Sequence, residues 1–134
     1  MGTEAKLKHL EFIQSAINRM SGNSFLLKGW TVTLVAALFA LAAKDADRRY
    51  VIVAYLPVLM FWALDAYFLS QERLFRSLYD GVRQRKEGEI DFSMNTTPFR
   101  GGPNGWTSSF FSRTLLLFYL FMVGIMLIVI YFIG

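Results

Sequence analysis

The chain has no cysteine and a single histidine, His9, among 134 residues. Without thiols it has no disulfides, no thiolate metal sites and no cysteine nucleophile. One imidazole without carboxylate pairs at ligand spacing gives no basis for a metal centre, and His9 is expected to be solvated or interfacial. Charge is also scarce: 18 % of residues are charged against 54 % hydrophobic and 16 % aromatic, too apolar for an ordinary soluble domain. No glycine-rich phosphate loop, Walker lysine or nucleophile elbow occurs, so neither a cofactor nor nucleic acid is expected as a ligand. Thr107, Ser108, Ser109 and Ser112 have no histidine base near them in sequence; their expected role is to satisfy backbone groups or cap a helix, and the chain is read as a non-enzyme.

The apolar residues fall into three runs of spanning length. Phe25–Ala43 carries one charge, Lys28; Tyr50–Leu69 carries one, Asp65; Thr114–Gly134 carries none. A helix of about 20 residues crosses a hydrocarbon core of about 30 Å. The expected fold is therefore all-α, one membrane domain with three spans over 25–43, 50–70 and 114–133. No cleavable leader is expected, because the first run begins only at Phe25, behind a polar stretch containing His9, Glu11 and Arg19.

Residues 3–21 are patterned as an amphipathic helix, with Leu7, Leu10, Ile13, Ile17 and Met20 on one stripe. Such a segment lies in the membrane interface or packs on another helix. Ser21-Gly22-Asn23-Ser24 predicts an elbow there, with Asn23 or Ser24 capping the first span. Lys44–Arg49 forms a tight charged turn, making spans one and two an antiparallel hairpin. Pro57 predicts a kink in span two. Beyond Leu69 the helical pattern continues through Leu74, Leu78 and Val82, so this helix is expected to leave the membrane and run to about Lys86. Residues 87–113, with Pro98, Gly101, Gly102, Pro103 and Gly105, read as an interfacial loop. Trp30 and Trp106 are placed as interface anchors.

Of 14 Lys and Arg residues, only Lys44, Arg48 and Arg49 lie in the turn between spans one and two. The positive-inside rule then puts the N-terminus and the long loop in the cytoplasm, the C-terminus outside, and the protein in the inner (plasma) membrane. Arg83, Arg85 and Lys86 are expected to contact anionic lipid.

Asp65 is the focal residue. A carboxylate inside a span costs about 2.5–3.5 kcal/mol on insertion scales and needs a partner. Lys28 sits at a similar depth on the neighbouring span, so the two are expected to form an ion pair that pins the hairpin; the alternative is a carboxylate lining an aqueous path. Glu72, two turns on, either extends an acidic strip or is an ordinary solvated charge. Ala36, Ala40 and Ala43 form a small-residue ridge suited to close helix packing.

The sequence of parts, with the elbow Arg19-Met20-Ser21-Gly22-Asn23-Ser24-Phe25, a tight two-span hairpin and a helical cytoplasmic extension, resembles small bacterial inner-membrane proteins of the SLATT-type anti-phage effector class and the RipA-type oligomeric class. The likeness covers roughly residues 5–86; the third span is an addition to that pattern. It implies self-association and, for the effectors, membrane permeabilisation on activation. A homo-oligomeric pore with Asp65 near the shared axis is the leading expectation, resting on the need to bury Asp65. A non-conducting scaffold that recruits a cytoplasmic protein partner is the rival.

Overall fold

The computed structural model describes residues 2–45, 47 and 49–133. Arg48 of the charged turn and Gly134 at the end of the last apolar run lie outside the described residues. Among these residues four helices follow one another: α1 (Gly2–Asp45), α2 (Arg49–Arg83), the short α3 (Trp106–Phe110) and α4 (Arg113–Ile133). Single 3-10 turns at Glu87–Glu89, Thr97–Phe99 and Gly102–Asn104 punctuate the segment before α3. α1, α2 and α4 are each long and apolar enough to cross a membrane.

α1 is one unbroken helix of 44 residues, about 66 Å long. The elbow expected at Ser21–Ser24 is absent. Three causes act together. Buried Ile13, Ala16 and Ile17 before it, and Leu27, Thr31 and Val35 after it, keep the chain bound along its length. The Ser24 hydroxyl is occupied by Asp65 of α2 instead of capping a new helix. Gly22 meets nothing within 4 Å of a hypothetical Cβ, so no close approach demands a glycine there. Gly22→Ala should therefore stabilise the protein by about 1 kcal/mol, the usual helix-interior difference. A denaturant titration checks it, and a loss of stability would show that the glycine serves a bend.

The turn after α1 is closed by Asp47. Its backbone N–H donates to Ala42 O at 3.1 Å. Its carboxylate accepts the Arg49 amide at 3.0 Å and the Arg49 guanidinium at 2.7 Å. The chain then returns as α2, 35 residues, which passes through Pro57 without ending. Two separate cores result. The larger lies between the three spanning segments and contains Val35, Ala42, Val51, Ala54, Val58, Trp62, Ala66, Leu115, Tyr119, Met122 and Met126. α4 contributes Leu115, Tyr119, Met122 and Met126, spaced four, three and four apart, as a narrow apolar seam requires. The smaller core lies in a two-helix stalk beyond the apolar zone: Ile13 and Ile17 of α1 against Leu78 and Val82 of α2.

The ridge Ala36, Ala40, Ala43 does not pack inside the chain. All three are exposed, while Val35, Ala42 and partly buried Leu38 and Phe39 face the core. Regular spacing defines a stripe on a helix but not which side meets a neighbour. Here the bulkier stripe faces inward, because it fills the space between three helices that alanines would leave open.

Candidate functional site

α1 places Ser24 and Lys28 one turn apart, so both face the same strip of α2. Lys28 Nζ donates to Asp65 Oδ2 at 2.6 Å and to Ser24 Oγ at 2.9 Å. Ser24 Oγ donates to Asp65 Oδ1. α4 adds a fourth member: the Tyr119 hydroxyl donates to Asp65 Oδ2 at 3.0 Å. The carboxylate thus receives three donors from two other helices, and its side chain is 0 % exposed while that of Lys28 is 19 % exposed. The ammonium also stands 5.9 Å from the centre of the Phe118 ring. Thr31, one turn below Lys28, is fully buried and satisfies its hydroxyl on Leu27 O at 2.7 Å.

An isolated charge here would have to be neutralised or driven out; a mutually compensated pair with every strong acceptor filled can stay. Because the donors come from α1 and α4, this one carboxylate ties all three spans together. The surface clefts are lined by other residues, and the Asp65 side chain is itself fully buried. Burial of Asp65 therefore needs no second copy of the chain, which removes the physical ground on which an oligomer was expected from the sequence. Glu72 does not extend an acidic strip; it accepts from Arg76 at 3.2 Å.

Next to the tetrad is an aromatic stack. The Trp62 ring lies parallel to Phe110 at 4.3 Å and to Tyr119 at 5.4 Å. Trp62 Nε1 donates to Phe110 O, and Trp106 Nε1 to Ala63 O, both at 3.0 Å. α3 is held by these bonds at the depth of Asp65. Ser112 Oγ accepts the Leu115 amide at 3.4 Å and caps α4. Trp106 and Trp30 both leave large parts of their rings exposed.

Arg83, Arg85 and Lys86 lie at and just beyond the end of α2. α2 is continuous from Leu69 to Arg83, which puts Arg83 about 21 Å along the helix beyond the apolar run, against a screening length of about 8 Å. Arg83 pairs with Asp80 at 3.7 Å and Arg85 with Asp91 at 3.2 Å.

His9 is not solvated. It is fully buried near the stalk tip, where residues 90–99 cross the two helices as a strap. Its Nε2 lies 2.8 Å from Ser93 O, while Ile90 and Phe99 of the strap cover the stalk core. Phe99 Cζ would lie 3.3 Å from a Cβ at Gly81, so the absent side chain is what lets the ring seat. Asn104 and Arg73 secure the far end, through Asn104 to Ser77 and Phe99 O at 2.9 Å and Arg73 to Pro103 O at 2.8 Å. Within the strap Asp91 accepts the Ser93 amide, which, with Arg85 beside it, holds the Asp91 carboxyl below its ordinary value of 3.8. A lowered carboxyl stabilises the strap above pH 3.8, and the contribution disappears as pH falls through the depressed folded value. Exchange at the Ser93 amide should accordingly gain a step, beyond intrinsic chemistry, in that acid range, and Asp91→Asn should flatten that step.

No family model, characterised protein or solved structure matches the chain. What is established is the class: a helical protein with three helices suited to spanning a membrane.

Proposed function

We propose that this is a non-conducting membrane scaffold or accessory subunit whose helical stalk engages a soluble protein partner. One observation carries the reading: the single intramembrane carboxylate is saturated by Lys28, Ser24 and Tyr119 of its own chain, leaving no unpaired charge to line a water-filled path. The positive-inside count puts the stalk in the cytoplasm, the N-terminus inside and the C-terminus outside, in a plasma (inner) membrane. Outside the apolar zone the exposed large hydrophobic side chains gather near the stalk tip: Leu7, Phe12, Phe92 and Met94. Leu7 and Phe92 share a cleft of about 590 Å³ with Ala5, rimmed by Glu4, Lys8 and Glu11. Exposed apolar groups with a polar rim are what a protein partner covers.

Purified protein in planar bilayers should carry no current, and a soluble partner retained by the intact chain should be lost on deleting residues 71–100. A reproducible conductance abolished by Asp65→Asn would replace this reading with the pore. That second reading, several copies around a shared axis, is supported by the outward-facing Ala36, Ala40 and Ala43, which would let spans of neighbouring copies approach closely.

A further inference from the structure

His9 has two ring nitrogens in unlike surroundings. Nε2 faces Ser93 O at 2.8 Å, and a carbonyl oxygen only accepts, so Nε2 carries a proton. Nδ1 is buried and, among the described residues, has no polar partner. A bare lone pair in such a place is tolerable; an N–H bearing positive charge, with nothing to receive it, is far costlier. The strap that makes this bond is itself under tension. Phe92, directly before Ser93, has φ +57, a left-handed conformation in which a bulky aromatic is an outlier. Its ring lies 5.6 Å from that of His9 and 6.1 Å from that of Phe12, so the contact that strains the backbone also seals the imidazole from water.

We propose that His9 is a pH-responsive latch: the strap over the stalk tip seats on the imidazole with one proton, and a second proton releases it. Release would give Nδ1 water, relax Phe92 and uncover the stalk core at Ile13, Leu78 and Val82. The charged groups around the latch bear on the sign. From the strap, Asp91 attracts a second proton towards His9, but its carboxylate is 60 % exposed and already paired with Arg85 from the end of α2. Glu87 is engaged by Thr3. On α1 itself, Lys6 and Lys8 oppose further positive charge, Lys8 being partly offset by Glu11 at 3.7 Å. Screened attraction from Asp91 opposes release, and the buried Nδ1, with no acceptor for a second N–H among the described residues, favours it.

The test uses the full chain in nanodiscs, with exchange of the segment 88–99 measured by mass spectrometry from about pH 8 to pH 5, where imidazole titrates and carboxylates do not. His9→Gln keeps an N–H for Ser93 O and cannot take a proton. At each pH the ratio of wild-type to variant exchange cancels intrinsic chemistry. It should rise on acidification with a slope approaching tenfold per pH unit, while helical segments of the spans show a constant ratio. A flat ratio, or a rise of equal size throughout the chain, overturns the latch. Should His9→Gln fail to fold, the wild-type suffices. Its lone imidazole gives one unambiguous NMR titration curve; strap opening must share its midpoint, and a mismatch overturns the proposal.

Discussion

Asp65→Ala should destabilise the protein by about 3–5 kcal/mol, the range for removing one partner of a buried ion pair. The loss is large because three donors, Lys28, Ser24 and Tyr119, lose their shared acceptor at once, and all three belong to other helices. Lys28 recovers part of it by extending towards the headgroups, since its side chain is already 19 % exposed. The informative variant is therefore the double one. Asp65→Leu with Lys28→Leu removes both charges and should regain most of the stability, because a well-packed apolar pair replaces an ion pair at little or no cost. Reversible unfolding in mild detergent, arranged as a double-mutant cycle, reads the coupling directly. If the double variant is as unstable as the sum of the two singles, the carboxylate and the ammonium do not act as a pair.

Trp62→Ala should cost about 3–5 kcal/mol as well, through a different route. The indole fills the space between α2, α3 and α4, stacked on Phe110 and Tyr119, and its N–H holds the Phe110 carbonyl. Its loss should loosen α3 and the start of α4 first and leave the stalk unchanged. Faster exchange confined to residues 106–119 is the expected pattern. Trp62→Phe keeps a ring in the stack and forfeits the hydrogen bond, for about 1 kcal/mol. If exchange in α3 and α4 stays at the wild-type rate in Trp62→Ala, the stack does not hold these helices to α2.

These two sites also mark what could be read from residues alone. The spans were legible because a bilayer sets a minimum length, and Tyr50–Leu69 or Thr114–Gly134 meet it by composition. The pairing of Lys28 with Asp65 was legible because a short turn fixes the relative depth of two helices. Ser24 and Tyr119 were not. Ser24 has the chemistry of a cap, and nothing local reveals that α1 continues through it. Tyr119 lies on a helix whose facing angle depends on packing with α2. His9 was misjudged for a related reason: its neighbours Lys8 and Glu11 are exposed, and the residues that bury it come from 84 positions further along the chain. Which way the alanine ridge faces was not legible either, because spacing along one helix does not contain that direction.

The unbroken passage of α1 and α2 from the bilayer into the stalk makes the molecule a lever. Helices tilt to match the local hydrocarbon thickness, and here no flexible joint absorbs that tilt. With about 30 Å of stalk beyond the apolar zone, a change of about 6° in the membrane half would sweep the tip sideways by about 3 Å. Leu7, Phe12 and Phe92 ride on that tip. Whatever rests against them would feel the thickness and tension of the membrane as displacement.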